Sequence, residues 1–277
     1  MGEMMYDVLE KVELEDGTLV EVLQFSELNG SADVSVANTL YFASNSGMRL
    51  KMIRITLYNS FARIEPGSLY FMKGNLENKT STGGGILKGL GRKVLSGESL
   101  FVNEIHGTGQ IYLEPSFGHF FIRELGLGDQ ALIMDQGMFY AGTRGLDISS
   151  TLQKNISAGV FGGEGLFQTQ VKGSGVVVLY SPVPANEVQK IELDNEKLSV
   201  DGNFALLRTE EIEFKAEKSS KTWIGTAVSG EGLLQTFSGT GTVWLAPTQG
   251  IYQLLSTPRG LHKLSLPPGS VGLGEDT

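Results

Sequence analysis

The sequence has 277 residues, of which 40% are hydrophobic and 19% are charged, and this balance excludes an intrinsically disordered chain. The net charge of −9 argues against nucleic acid as a partner, because a phosphate backbone is bound by a cationic surface. The absence of cysteine excludes disulfides, thiolate metal sites and a cysteine nucleophile.

The start of the chain carries neither the basic segment nor the apolar segment of a signal peptide, and no run approaches about 18 consecutive apolar residues. We therefore expect a cytoplasmic protein without a membrane span, since a reducing compartment suits a chain that lacks cysteine. Residues 1–49 predict an opening β segment, with a strand at 20–25, followed by a polar loop.

Strand patterns continue along the chain. Alternation is clearest at 51–57, where Ile53, Ile55 and Leu57 fall on one face. The apolar run at 176–179 is typical of a strand that is buried on both faces. No window of a dozen residues has the 3.6-residue period of an amphipathic helix, so we expect little helix.

A repeated pattern organises the middle of the chain. It consists of Gly, Glu, Gly or Ser, Leu and an apolar residue, followed about ten residues later by two glycines that flank Thr or Ser. The first glycines of the pattern are Gly97, Gly163 and Gly230, which lie 66 and 67 residues apart. This spacing predicts three repeats, at about 50–118, 119–183 and 184–250.

Two further glycine features recur in these repeats. In each repeat, a glycine that closely follows an acidic residue precedes a strand-like stretch. This pattern predicts a turn in which the backbone adopts positive φ, a conformation that glycine allows. Glycines two apart inside a strand predict a bulge or a close approach of two backbones. The turn glycines are Gly67, Gly137 and Gly202, and the paired glycines are Gly107 with Gly109, Gly173 with Gly175, and Gly239 with Gly241.

A repeat of this size is small for a core of its own, so we expect the three to pack against one another around a pseudo-threefold axis. The predicted fold class is therefore all-β, with three tandem repeats in one globular body. This single domain covers residues 1–263, with the β segment 1–49 at its beginning. Residues 264–277 predict a disordered tail.

The glycine-rich stretch 83–93, the segment 95–101 and the later copies at 163–167 and 230–234 carry a family resemblance. Over about residues 50–250 the chain resembles the altered inheritance of mitochondria protein twenty-four family, in its bacterial form. The resemblance implies β-sandwich or double-stranded β-helix repeats like the tryptophan RNA-binding attenuation protein. It implies no enzymatic activity, no catalytic residues and no cofactor.

The glycine-rich stretch is the most distinctive local feature. Gly84 and Gly89 have the spacing of a phosphate-binding loop, but Leu90 stands where that loop requires lysine. The stretch therefore predicts a mobile apolar loop that contacts a protein partner or an anionic membrane surface, or else a simple hairpin tip. The candidate contact residues are Gly83, Gly84, Gly85, Lys88, Arg92 and Lys93.

Three repeated glutamates, Glu98, Glu164 and Glu231, would meet near a threefold axis and bind a hard cation or a proton. The alternative is that each carboxylate accepts backbone N–H groups in its own turn. Gln168 with Thr169 and Gln235 with Thr236 also recur, and we interpret them as alternating strand residues. His106, His119 and His262 lack the spacing of metal ligands, so no metal site is predicted.

No catalytic motif is present, since the chain has no nucleophile elbow and its three histidines are scattered. We predict a non-enzymatic interaction or scaffold protein that acts at a membrane surface or in a larger assembly, with self-association as one option. The alternative is a module that binds a small molecule or an ion in clefts between the repeats. A third reading is an uncatalogued enzyme.

Overall fold

Strands dominate the chain, as its alternating and glycine-punctuated sequence predicts, and the prediction of an all-β fold is confirmed. The computed structural model describes residues 5–28, 30, 32–80, 103–135, 137–153, 166–201, 204–218 and 233–267. The strands are β1 (Tyr6–Glu13), β2 (Leu19–Phe25), β3 (Lys51–Ile64), β4 (Leu69–Thr80), β5 (Asn103–Leu113), β6 (His119–Leu125), β7 (Leu132–Met134), β8 (Phe139–Thr143), β9 (Leu146–Gln153), β10 (Leu166–Gly173), β11 (Gly175–Ser181), β12 (Gln189–Asp201), β13 (Ala205–Thr209), β14 (Glu213–Lys218) and β15 (Leu233–Leu245).

The chain forms two compact units, each assembled from three segments of sequence. Unit 1 consists of Met1–Asp129, Gly137–Ser149 and Val171–Pro182. Unit 2 consists of Gln130–Gln136, Ser150–Gln170 and Val183–Thr277. The division into three repeats around a pseudo-threefold axis therefore stays a prediction.

Unit 1 is built on a sheet with the order β1-β2-β3-β8-β11-β6, to which β5 and then β4 are added beside β3. The face that was predicted from alternation is confirmed, because Ile53, Ile55 and Leu57 are fully buried. The run at 176–179 is buried along its whole length, as predicted. Ile53, Ile55 and Leu57 form one core of unit 1 with Val176 and Val178 of this run and with Ile105 and Ile111 of β5.

Most of a second sheet lies in unit 2, with the order β12-β15-β13-β7-β10-β9, and β14 pairs with β15 beside this path. Its core includes Leu193 of β12, Phe214 of β14, and Phe237 and Val243 of β15. The rings of Phe214 and Phe237 lie 5.2 Å apart between centroids. Aromatic packing between neighbouring strands therefore stabilises this part of the sheet.

The helices are α1 (Val34–Asn45), α2 (Gln249–Leu255) and α3 (Gly260–Ser265), with a short 3-10 helix at Ala185–Glu187. The expectation of a loop after the opening strand is wrong, because α1 fills this region. Asp33 caps α1 by accepting a hydrogen bond of 2.8 Å from the Ser35 N–H group. Within the described part of the chain, no helix has the length and apolar character needed to cross a bilayer.

The paired glycines lie where two backbones approach closely, as predicted. In all three pairs the φ angles lie between 110° and 156°, a region that favours glycine. A Cβ atom on Gly107 would collide with the carbonyl oxygen of Asn75 on the neighbouring strand. The turn glycines Gly67 and Gly137 also have positive φ, at 84° and 85°, and Gly202 lies outside the described residues.

The three glycine pairs have similar partners in the sheets. Asn59 and Asn195 have φ angles of 49° and 54° at register shifts opposite the first and third pairs. Their backbone N–H groups donate to the hydroxyl groups of Thr108 and Thr240, at 2.9 and 3.1 Å. A leucine faces the second glycine of each pair, as Leu57 with Gly109, Leu125 with Gly175, and Leu193 with Gly241.

Candidate functional site

The sites predicted from the glycine-rich stretch and from the repeated glutamates lie outside the described residues. Their contacts with a partner, a membrane or a cation therefore stay predictions. They are Gly83, Gly84, Gly85, Lys88, Arg92 and Lys93, together with Glu98, Glu164 and Glu231.

The three histidines are distributed over different elements, with His106 on β5, His119 on β6 and His262 on α3. In the described ranges, no three His, Asp or Glu side chains are grouped in a way that could hold a metal ion. Of the three, His106 lies in the wall of a large surface groove.

This groove, which belongs to unit 1, has a volume of about 550 Å³ and contains side chains of both charges. Next to it Glu104 accepts a hydrogen bond of 2.8 Å from Arg63 Nε, and its other oxygen lies 3.0 Å from His106 Nε2. The His106 ring stacks on Phe61 at 4.8 Å between centroids. These contacts fix the positions of the Arg63, Glu104 and His106 side chains at the wall of the groove.

The charge state of the Glu104 carboxyl follows from its neighbours. Burial by itself raises the pKa of Glu104, but the hydrogen bonds from His106 and Arg63 and the charge of Arg63 outweigh it, so the pKa lies below its usual range. An ionised carboxylate only accepts hydrogen bonds, so His106 donates from Nε2. This arrangement fixes the orientation of the His106 ring.

Two apolar surfaces of unit 1 are exposed among the described residues. Helix α1 has no buried residue, and Phe42 on it is 71% exposed. Of the strands that the structure describes, only β5 pairs with β4, and β4 exposes Tyr70, Phe71 and Met72 in succession. Large exposed apolar patches and unpaired strand edges are typical of surfaces that contact another protein.

A third candidate site lies inside unit 2 and is centred on a buried arginine. Arg208 on β13 is 3% exposed and pairs in register with Ile133 on β7 and Val243 on β15. Asp135 directly follows β7, where its backbone N–H group donates to the Leu206 carbonyl at 3.3 Å. Central strands of the sheet therefore position both charged side chains.

Two glutamines complete this site. Gln168 on β10 donates from Nε2 to Asp135 Oδ1 at 3.0 Å and accepts from Arg208 Nη2 at 3.3 Å. Its side chain thus bridges the two charged groups. Gln235 on β15 is also buried and contributes to the same cavity. We call Asp135, Gln168, Arg208 and Gln235 the Arg208 cluster.

The cavity beside the cluster has a volume of about 20 Å³. Within the described residues, the Nε and Nη1 groups of Arg208 are buried without a hydrogen-bond partner. Unsatisfied buried donors are rare in folded proteins and are costly when they carry charge. The remaining lining is apolar, with Ile133, Ala205, Leu206, Leu207, Phe214 and Phe237.

Burial shifts both titratable groups of the cluster away from their charged forms. It lowers the pKa of Arg208 to about 10, against the opposing effect of Asp135. It raises the pKa of Asp135, although the Gln168 hydrogen bond and the Arg208 charge act in the opposite direction. At neutral pH the guanidinium is still cationic, because its pKa lies about three units above.

The sequence contained one signal for this cluster. Gln168 and Gln235 stand at matching places of the repeated pattern, and their interpretation as alternating strand residues agrees with their positions on β10 and β15. Nothing in the sequence connected them with Asp135 or Arg208, because the four residues come from distant parts of the chain.

Comparisons with known proteins agree with this architecture. A curated relative, an uncharacterised protein of Streptococcus pyogenes serotype M6, is 27% identical over 225 residues, which is 76% of this chain and 86% of the relative. The crystal structure of a Streptococcus pyogenes protein matches with a TM-score of 0.56 at 24% identity. That match covers 75% of this chain and 94% of the other, and it supports the fold alone.

The sequence model of a family described as mitochondrial biogenesis AIM24 matches residues 42–248. The match starts in α1 and extends beyond β15, so it spans all the strands from β3 onward. It includes the three copies of the glycine pattern on which the family resemblance rested. This chain therefore belongs to the mitochondrial biogenesis AIM24 family.

Proposed function

We propose that this chain is a non-enzymatic interaction protein that self-associates through the free edge of β4. The observation that carries the proposal is the exposure of this strand, which pairs with β5 on one side only among the described residues. A long unpaired edge offers a row of backbone donors and acceptors to another strand. The exposed Tyr70, Phe71 and Met72 provide apolar surface that a second strand would cover.

A second copy of the same chain fits this edge by charge. In an antiparallel pair related by a twofold axis at Asn75, Lys73 of each copy faces Glu77 of the other. Opposite charges that face each other across a strand pair stabilise it, whereas like charges destabilise it. Glu77 lies 3.6 Å from Lys79 of its own chain, but both side chains are exposed and are free to exchange partners.

Charge reversal tests this pairing. We expect native mass spectrometry to find dimers of the unaltered protein and monomers of Lys73→Glu and of Glu77→Lys, since each single change places like charges opposite each other. A mixture of the two variants, or the double variant, should form dimers again. Lys172→Glu is the matched control, because Lys172 is similarly exposed on β10 and should leave the dimer intact.

Circular dichroism of each variant establishes that it is folded. A monomeric unaltered protein at micromolar concentration would disprove self-association through β4. Dimers of both single variants would show that another surface is used, and the exposed helix α1 would be the next to alter.

We also propose the finer architecture predicted from the sequence, three repeats around a pseudo-threefold axis in a single body, with units like those of the attenuation protein. This proposal is supported by the strand register, in which the second glycine of every pair faces a leucine, namely Leu57, Leu125 or Leu193. A cytoplasmic location is proposed from the cysteine-free composition. Contacts of residues 83–93 with a partner or an anionic membrane remain part of the same proposal.

A further inference from the structure

We propose that the α2–α3 pair, residues 249–266, binds the surface of an anionic membrane. Its leucines would enter the acyl region, and its cations would lie among the lipid phosphates. The pair belongs to unit 2. The inference is independent of self-association through β4 in unit 1, and it involves none of residues 83–93. It rests on the apolar side chains of the pair, on its charge and on its attachment to the unit.

The α2–α3 pair exposes apolar side chains instead of burying them. Ile251 and Leu255 are four residues apart on α2, and Leu261 and Leu264 are three apart on α3, so each two share one side of their helix. Within the described helices α2 and α3, Gly260 is the only buried residue. The exposed large apolar residues of the pair are Ile251, Tyr252, Leu255, Leu261, Leu264 and Leu266. An apolar patch of this kind is typical of a surface that contacts a protein or a membrane.

The charge of the pair decides between these two kinds of partner. Residues 249–266 contain Arg259, His262 and Lys263 but no aspartate or glutamate, although the whole chain has a net charge of −9. All three basic side chains are exposed. An anionic bilayer attracts the cations and also takes up the apolar side chains, without a pocket for each of them. An acidic protein surface would match the cations alone.

Polar contacts hold the pair to unit 2. Tyr252 on α2 donates a hydrogen bond to the carboxylate of Glu187, whose oxygens lie 2.8 and 3.0 Å from the hydroxyl group, and Thr248 donates to the same carboxylate. The start of α3 packs closely on α2, because a Cβ atom on Gly260 would lie 1.6 Å from the Leu254 carbonyl oxygen. The leucines are therefore displayed on a preformed element, and binding does not have to order it.

Cosedimentation of the intact protein with lipid vesicles tests the proposal. We expect binding to phosphatidylcholine vesicles that contain about 30% phosphatidylglycerol and no binding to pure phosphatidylcholine, because the cations of the pair need anionic lipid. Added salt should weaken the binding, since it screens these charges. The chain has no cysteine, so Leu261→Cys can carry a single environment-sensitive fluorophore, whose emission should shift to the blue on the anionic vesicles. Leu127→Cys is the control position, because Leu127 is 92% exposed in unit 1, and it should show no shift.

Charge reversal tests the cations of the pair. Arg259→Glu combined with Lys263→Glu should lower the affinity for the anionic vesicles about tenfold or more. The matched control combines Lys172→Glu with Lys215→Glu, which changes the net charge equally at two exposed lysines, and it should bind nearly as well as the unaltered protein.

Removal of the leucines tests the apolar contribution. Leu261→Gln combined with Leu264→Gln should also lower the affinity about tenfold or more, because less apolar surface leaves water on binding. Leu127→Gln is the matched control and should leave the affinity unchanged. Both leucines of the pair are exposed, so circular dichroism should find the variant folded.

The outcomes separate this proposal from the others. Equal binding to vesicles with and without phosphatidylglycerol, or unchanged affinity of either double variant of the pair, would overturn it. No binding to either kind of vesicle would also overturn it and would leave a protein as the partner. Loss of binding only when Lys88, Arg92 and Lys93 are changed to glutamate would assign the membrane contact to residues 83–93 instead. Native mass spectrometry of the double variants should still find dimers, so failure of this proposal differs from failure of self-association.

Discussion

The two units contain strand junctions with the same backbone pairing and different arginine environments. At the junction of β3 with β8, Arg63 pairs in register with Gly142. At the junction of β7 with β13, Ile133 pairs in register with Arg208. Each junction thus contains one arginine, which lies on the earlier strand, β3, in unit 1 and on the later strand, β13, in unit 2. Arg63 is half-buried, whereas Arg208 is buried.

The acidic residues next to these junctions make the comparison closer. Glu65 and Asp135 follow β3 and β7, and their backbone N–H groups donate to the carbonyls of Tyr140 and Leu206, at 3.0 and 3.3 Å. Burial raises the pKa of both carboxyl groups. The backbone therefore brings an acid to the same place twice, and the side chains around it determine whether an arginine accompanies it.

The different outcome for the two arginines follows from what each side chain can contact. Arg63 reaches Glu104 on β5 and also donates from Nη1 to the Leu146 carbonyl at 2.5 Å, so most of its charge is paired. Within the described residues, the Arg208 side chain has one hydrogen bond, to Gln168, and its guanidinium carbon lies 5.8 Å from the centre of the Phe214 ring. The same junction therefore provides an arginine with two hydrogen-bonded partners in unit 1 and a more deeply buried arginine with fewer hydrogen bonds in unit 2.

The largest expected effect is that of removing the acid beside the buried arginine. Asp135→Ala should lower the free energy of unfolding by about 3–5 kcal/mol, because it leaves the buried Arg208 charge without compensation. Glu104→Ala should cost only about 1 kcal/mol, since Arg63 keeps the Leu146 carbonyl and contact with water. Urea unfolding measures both. Equal costs would show that the two arginines are in equivalent environments.

The pH dependence of stability should have opposite signs at the two acids. The pKa of Glu104 is lowered in the fold, so its stabilisation is present above its usual value of 4.5 and is lost as the pH falls. The pKa of Asp135 is raised in the fold, so its contribution to the free energy of unfolding falls as the pH rises above its usual pKa of 3.8.

Urea unfolding between about pH 3 and pH 7 tests these signs, because the Glu104 contribution is lost below pH 4.5 and the Asp135 contribution changes above pH 3.8. Towards acid pH, Glu104→Gln should lose less stability than the unaltered protein, and Asp135→Asn should lose more. Parallel curves for all three proteins would contradict the assignment of opposite shifts.

The smallest expected effect concerns Gly142, which occupies the place in unit 1 that Arg208 occupies in unit 2. A Cβ atom there would lie 3.2 Å from Ile148 Cδ1 and 3.4 Å from Leu146 Cδ1, both at flexible side-chain ends. Gly142→Ala should therefore change the free energy of unfolding by less than about 1 kcal/mol. The thermal midpoint provides the measurement. A larger loss would mean that this junction depends on glycine itself.

The sequence also contained a signal for α1 that the strand patterns obscured. Asp33 caps the helix, and Asp is a common residue at this position. The helix itself contains no charged residue and has no buried face, so the periodicity that reveals a core-facing helix is absent. Composition alone therefore favoured a loop here.

The sequence by itself determined the strands and the places where they approach. Alternation fixed the buried face of Ile53, Ile55 and Leu57, and the paired glycines marked close backbone contacts, because both are local consequences of strand geometry. Only the tertiary structure decided the Arg208 cluster. Its members come from four separated strands or strand ends, and their charge, burial and hydrogen bonds depend on neighbours that no local pattern specifies.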